Sequence, residues 1–237
     1  TDISGGMNNP IFDVEEDPDN ANVLYLGTDY GIWVTVDQGR TWTAFSTSQP
    51  TMVVRDLAIQ RRDREMAIGS YARGFFVADI APMKEFKPEV FEKPAHLFEP
   101  QAAIKWNRFD RRGETTGEMV RAINPPVGAS IYYYLKADAQ KGTVTVKDLE
   151  GATLREFTPT AKKGLQKVFW NLNRQAAAGA APQQAPGAGA GGGGGRGGRG
   201  GRGGMQVDPG VFKVTLTVDG KEVESKKLTI SPDPLFK

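Results

Sequence analysis

The chain has 237 residues, with 30 Lys and Arg against 28 Asp and Glu, and a formal net charge of +2 at pH 7. It has no cysteine and one histidine, His96. This composition excludes disulfides, thiolate metal sites, cysteine nucleophiles and any intrachain site built from several histidines. No apolar run approaches the roughly 18 residues that a membrane-spanning helix needs, so no membrane span is predicted.

The first 80 residues contain an internal repeat with an offset of 42 to 43 residues. Three blocks recur in the same order: 11–14 at 54–57, 23–28 at 65–70, and 31–34 at 74–77. The blocks are apolar, β-branched or aromatic and are separated by Gly, Asp and Asn, which predicts short strands in an all-β meander. A repeat of about 42 residues carrying four strands has the size of one propeller blade. The second repeat is predicted to end near Ile80.

The connector at 35–42 reads Thr-Val-Asp-Gln-Gly-Arg-Thr-Trp. The Asp37 carboxylate can accept backbone N–H groups across a tight turn, and Gly39 can take a positive φ. The connector resembles the Asp-box of BNR-repeat propellers, Ser/Thr-x-Asp-x-Gly-x-Thr-Trp, at every defining position. The resemblance implies a structural hairpin clasp formed by Asp37, Gly39, Thr41 and Trp42. A ligand role for Asp37 is the alternative.

Residues 8–80 resemble the last blades of large BNR-repeat propellers, which include sortilin-like luminal domains and bacterial proteins labelled glycosyl hydrolases. Residues 22–28 and 73–77 carry this resemblance. Relatives commonly read Gly-Thr-His-Gly-Arg-Gly where this chain has Gly-Ser-Tyr-Ala-Arg-Gly, so a role that needs the imidazole is not expected here. A propeller site lies on loops at one face, and the candidate contacts for a protein or glycan ligand are Asp29, Tyr30, Tyr71 and Arg73. The structural alternative pairs Arg73 with Asp29 or with a backbone carbonyl.

Two blades cannot close a ring, and their uncovered faces and edges would be adhesive. The chain is therefore predicted to be a C-terminal fragment, or to receive the remaining propeller blades from the same precursor or from another chain. The family resemblance also implies a secreted, periplasmic or cell-surface location.

Residues 81–118 are predicted to form an extended, Pro-rich strap or linker packed on the propeller side, with a polar loop at 110–118. A proline recurs every six residues from Pro82 to Pro100, which prevents long helices. The prolines alternate with apolar anchors at Phe86, Phe91, Leu97 and Phe98. His96 lies among these anchors and is expected to be a packed residue of the strap.

Residues 119–237 are predicted to form a second all-β unit. Alternating or apolar segments and turn signals indicate about seven short strands, the count typical of a sandwich. Three segments, 124–129, 168–172 and 209–214, resemble the Ig-like domain that follows the propeller in many of those bacterial proteins. The predicted fold class is all-β, with terminal blades of a β-propeller followed by an Ig-like β-sandwich.

A Gly/Arg-rich segment at 175–206 interrupts this unit. Residues 187–204 hold 13 of the 29 glycines, together with Arg196, Arg199 and Arg202. Arg-Gly-Gly repeats can contact polyanions. The alternative is a flexible loop between two strands, which the position of the segment within the sandwich favours. The rest of the chain is near neutral, so nucleic acid is not an expected partner.

No catalytic residue, metal site or cofactor is predicted. A glycosidase needs two carboxyl groups at a fixed separation, and a sialidase-like site gathers residues from several blades. The N-terminal carboxylates fit a polar strand end, and a Pro-Asp-Asn turn explains Asp17 and Asp19 without calcium. The predicted function is a non-catalytic extracytoplasmic binding or assembly module. The alternatives are the C-terminal part of a secreted glycoside hydrolase, sialidase-like or an exo-acting glycanase, whose active site lies in absent blades, and a structural subunit of a surface assembly.

Overall fold

The computed structural model describes residues 8–45, 51–107, 126–175 and 206–235. The strands are, in chain order, β1 (Ile11–Glu16), β2 (Leu24–Thr28), β3 (Gly31–Thr35), β4 (Thr43–Ala44), β5 (Val54–Gln60), β6 (Glu65–Ser70), β7 (Gly74–Asp79), β8 (Ala95–Leu97), β9 (Ala103–Lys105), β10 (Ala129–Leu135), β11 (Gly142–Lys147), β12 (Thr153–Phe157), β13 (Gly164–Trp170), β14 (Gly210–Val218) and β15 (Lys221–Pro232). The predicted fold class is confirmed: the chain is all-β, with propeller-type blades and a sandwich.

The chain folds into two compact units that interleave along the sequence. The first unit comprises residues 1–99, 132–139 and 162–166, and the second comprises 100–131, 140–161 and 167–237. Residues 81–99 of the predicted strap belong to the first unit.

The first unit contains two antiparallel meanders, which correspond to the two sequence repeats. Strands β1 to β4 form one sheet in chain order, and β5 to β7 form the other. A bulge interrupts β1 between Ile11 and Asp13, and another interrupts β5 at the equivalent place, between Val54 and Asp56. The repeat therefore extends to backbone irregularities, which re-aim side chains.

The turn after the second strand of each sheet is closed by the same hydrogen bond. The Thr28 hydroxyl donates to the Gly31 carbonyl oxygen at 2.9 Å, and the Ser70 hydroxyl donates to the Gly74 carbonyl oxygen at 2.7 Å. Gly31 and Gly74 both have a positive φ, which their lack of a Cβ permits.

The core of the first unit lies between its two sheets and extends into the segment after β7. Tyr25 and Ile32 of the first sheet share a buried cluster with Leu57, Met66 and Ile68 of the second. Met83, Phe86, Val90 and Phe98 continue the cluster. Burial of apolar surface of this kind is the main stabilising contribution to a fold.

The proline-rich segment contains a 3₁₀ helix (Ala81–Glu85) and a five-residue helix, α1 (Pro88–Glu92), each with a proline in its first turn. Proline is tolerated there because the first N–H groups of a helix have no intrahelical partner. The prolines thus exclude a long helix, as predicted, but the segment is not extended throughout. His96 in β8 is buried and packs edge-on against the Phe98 ring, with Nε2 3.5 Å from a carboxylate oxygen of Glu85.

The second unit contains a five-stranded sheet in the order β12-β11-β14-β15-β9, in which β9 lies parallel to β15. A further sheet has the order β13-β10-β8, and its β8 and residues 132–135 of β10 belong to the first unit. Val144 and Val146 of β11 are buried while Thr143 and Thr145, which alternate with them, are half-buried, as the sequence alternation predicts. Trp170 of β13 contacts Phe212 of β14 edge to face, at 5.5 Å between ring centroids. The predicted loop at 110–118 and the contacts at Arg196, Arg199 and Arg202 lie outside the described residues and stay predictions.

Candidate functional site

The connector between β3 and β4 folds around the Asp37 carboxylate. One carboxylate oxygen accepts the Thr41 N–H at 2.9 Å and the Thr35 hydroxyl at 2.7 Å, and the other accepts the Thr41 hydroxyl at 2.6 Å. The Thr35 hydroxyl oxygen also accepts the Gly39 N–H, and Gly39 has φ +85°. Trp42 follows directly and is half-buried. Asp37, Gly39 and Thr41 therefore meet in one hydrogen-bonded turn.

The Asp37 carboxyl has a lowered pKa. Burial raises its pKa, but hydrogen bonds from Thr41, from Thr35 and from the Thr41 and Arg40 backbone outweigh that effect. A carboxyl whose pKa is lower in the folded state stabilises the fold above its unfolded pKa, and this contribution is lost as pH falls through the folded value.

Asp37→Asn is therefore expected to lower the free energy of unfolding by about 1 kcal/mol at pH 7, because an amide offers one uncharged acceptor oxygen and its NH2 group cannot accept the second set of donors. The difference from wild type should shrink as pH falls below 3.8, the ordinary value for Asp. Urea unfolding between pH 7 and pH 3 measures this, with the exposed Glu150→Gln as control. A difference independent of pH would contradict a charged clasp.

The four predicted ligand-contact residues lie in two equivalent turns. Asp29 and Tyr30 connect β2 to β3, and Tyr71 and Arg73 connect β6 to β7. Both tyrosines and Arg73 are exposed, whereas the Asp29 Oδ1 atom is buried without a hydrogen-bond partner in the described part of the chain. Within that part, no ion pair joins Arg73 to Asp29.

Sequence reasoning missed a contact beside these turns. The Arg55 guanidinium lies 3.9 Å from the centroid of the Phe12 ring and 5.7 Å from that of Tyr71. Both are cation–π distances. Phe12 and Arg55 are equivalent positions of the repeat, 43 residues apart. That offset is the signal that could have predicted their proximity, because equivalent strands of successive blades are neighbours.

A buried ionic network holds the turn after β1. Arg64, whose side chain is 6% exposed, contacts Asp17 at 2.6 Å and Asp19 at 3.1 Å. The Tyr25 hydroxyl donates to Asp17 at 3.3 Å, and burial followed by the Asp17 charge raises the pKa of Tyr25. The Asn20 side-chain amide donates to the Met83 and Phe86 carbonyl oxygens. Asp17 and Asp19 thus bind a guanidinium, and no group of three or more potential metal ligands occurs among the described residues.

One face of the first sheet is covered by the second sheet. Tyr25 and Ile32 on this face are 0% and 6% exposed. A Cβ at Gly27 would lie 3.0 Å from the Val54 Cγ1 atom and 3.2 Å from the Val54 carbonyl oxygen, so a larger residue here would push the two sheets apart by a few tenths of an ångström. The Leu57 N–H of the second sheet donates to the Asp13 carboxylate at 2.6 Å.

In the described part of the chain nothing covers the equivalent face of the second sheet, and we refer to it as the open face. The strand register places the repeat equivalents of the covered positions on it: Asp56, Ala58, Ala67, Gly69, Phe75 and Val77. Phe75 is 89% exposed and Val77 is 63% exposed. The three atoms nearest to a Cβ at Gly69 all belong to Asp56 in its own sheet, whereas those nearest to a Cβ at Gly27 include Val54 of the other sheet. The same sheet surface is therefore an interface in one repeat and free in the next.

No protein-family model matches the chain, and no curated protein matches it. The extracellular domain of a one-component system from B. thetaiotaomicron aligns with 95% of this chain at 11% identity and a TM-score of 0.26. The GH74 xyloglucanase from Xanthomonas campestris aligns with 93% at 14% identity and a TM-score of 0.24. The chain covers 26% and 30% of these two structures, respectively. Similarities this low do not define an activity or ligand. No helix in the described ranges is long and apolar enough to cross a membrane.

Proposed function

We propose that this chain is a non-catalytic extracytoplasmic assembly module whose open face binds a further propeller blade of the same repeat type. The blade comes from the same precursor or from another chain. The observation that supports this is the contrast between repeat-equivalent faces, one buried around Ile32 and one exposed around Phe75. The extracytoplasmic location rests on the resemblance to BNR-repeat families.

The covered face specifies the chemistry of the expected partner. The occupant of the open face presents an aliphatic side chain against Gly69, as Val54 does against Gly27. It also donates a backbone N–H to Asp56, as Leu57 does to Asp13. Hydrogen bonds to a carboxylate are stronger than those between neutral groups, so Asp56 would fix the register of the incoming strand.

The apolar residues of the open face supply the binding energy. Full burial of a side chain such as Phe75 or Val77 is favourable by about 1.5–3 kcal/mol. Ala58, Ala67 and Gly69 are small and leave room for a large partner side chain. In the first sheet, Tyr25 occupies the position equivalent to Ala67 and fills that space itself.

Native mass spectrometry of the protein isolated from its natural source tests the proposal. We expect a species heavier than the 25.7 kDa of this chain, containing additional blades. Val77→Lys introduced in that source should reduce the heavier species or its stability, whereas Leu149→Lys, at an exposed position of the second unit, should not. A monodisperse, monomeric 25.7-kDa native product would contradict the proposal.

A ligand-binding role for the exposed turns is the second candidate. It is favoured by the exposed rings of Tyr30 and Tyr71 and by Arg55, which lies within cation–π distance of Phe12 and Tyr71. Exposed aromatic residues and arginine are typical contacts in binding sites. If the additional blades carry paired carboxylates or an arginine cluster, the assembled protein would instead be a glycoside hydrolase, and hydrolysis of glycans by the isolated complex would show it.

A further inference from the structure

A pocket of about 500 Å³ lies within the first unit, apart from both the open face and the exposed turns. One side is formed by the hairpin that contains the Asp37 clasp, through residues such as Val34 and Phe45. The other side is formed by Phe86, Phe91, Tyr134 and Leu165. Its volume is within the range of about 300–1,000 Å³ that is typical of small-molecule sites.

The walls of the pocket are uncharged and largely apolar, and four aromatic rings contribute to them: Phe45, Phe86, Phe91 and Tyr134. Phe91 contacts Phe86 at 5.5 Å and Tyr134 edge-on at 5.5 Å between ring centroids. Among the described residues that line the pocket there is no Asp, Glu, Lys, Arg or His. Thr41, Thr43 and Tyr134 provide the polar side chains, and the Thr41 hydroxyl already donates to Asp37.

The hairpin wall is held in place independently of any ligand. The Asp37 carboxylate fixes Thr41, and the pairing of Val34 with Thr43 fixes the strand that follows. The Phe45 N–H donates to the Ile32 carbonyl oxygen at 2.8 Å, and the Phe45 ring packs edge-on against Tyr25. A wall that is ordered before binding lowers the entropic cost of binding.

We propose that this pocket binds a neutral, largely apolar small molecule that carries an aromatic ring. An ion entering the pocket would lose its hydration without meeting an opposite charge, which is costly. A flat neutral ring would bury its surface and could contact Phe86, Phe91 and Tyr134 in edge-to-face geometry. Thr43 also lines the pocket, and its hydroxyl would bind one polar substituent. The proposal does not depend on how the open face is used.

Titration of the 237-residue chain with N-phenyl-1-naphthylamine, a neutral probe that fluoresces in apolar surroundings, tests the proposal. We expect saturable binding at one site, and binding of the anionic probe 1-anilinonaphthalene-8-sulfonate that is weaker by about tenfold or more, since its sulfonate finds no partner. Ala44→Phe places a ring in the pocket from an exposed position. It should weaken binding of the neutral probe by about tenfold or more, because the probe can no longer bury its ring surface there. Ala137→Phe, at an exposed position of the same unit outside the pocket, is the matched control.

Far-UV circular dichroism and the thermal midpoint establish whether each variant folds. If Ala44→Phe does not fold, Thr43→Arg tests the same site by placing a charge at another exposed lining position. The proposal is overturned if the neutral probe shows no saturable binding, or if the anionic probe binds more tightly. It is equally overturned if Phe75→Ala, on the open face, removes binding while the pocket variants retain it.

Discussion

Replacement of Arg64 by Met is expected to lower the free energy of unfolding by about 3–5 kcal/mol, because it leaves the buried Asp17 carboxylate without the positive charge that pairs with it. That loss is a large part of the roughly 5–15 kcal/mol by which domains are usually stable. Urea unfolding followed by tryptophan fluorescence measures it.

Arg61→Met provides the matched control. Arg61 also binds Asp19, at 2.6 Å, but its side chain is 70% exposed. Its loss should cost no more than about 1 kcal/mol, as is usual for surface ion pairs. Equal effects of the two substitutions would show that the buried network does not hold the turn.

Replacement of Ile32 by Ala is expected to lower the free energy of unfolding by about 2–5 kcal/mol, since it removes a buried side chain between the two sheets. Phe75→Ala, at the equivalent position of the next repeat, should change it by no more than about 0.5 kcal/mol in this chain, because Phe75 is exposed. The same unfolding measurement compares them. Similar losses would mean that the open face is already covered in the isolated chain.

The sequence repeat predicted the two blades well because strand period and turn chemistry are local signals. The offset of 43 residues relates Asp13 to Asp56, and the structure places a bulge immediately before each. The network around Arg64 could not be predicted in the same way. Three arginines occur within residues 61–64, and the one that turns inward has φ +54°, which the sequence does not reveal.

Long-range strand pairing was also beyond the sequence patterns. The alternation of apolar and polar residues predicted β11 and β14. It gave no sign that β9 pairs in parallel with the end of β15, which places Ala103 beside Ile230. Local periodicity predicts which face of a strand is buried, not which distant strand lies beside it. In the proline-rich segment, the spacing excluded long helices but gave no sign of the short helix at 88–92.

Thiol labelling tests the role of the open face most directly, because the chain has no cysteine of its own. In the isolated 237-residue chain, Phe75→Cys should react rapidly with a maleimide, like the exposed Leu149→Cys, while Ile32→Cys should be protected. In the assembled protein isolated from its natural source, labelling at position 75 should slow by about tenfold or more, as expected when access requires local opening, and labelling at position 149 should not change. Equally fast labelling at position 75 in both preparations would contradict the account.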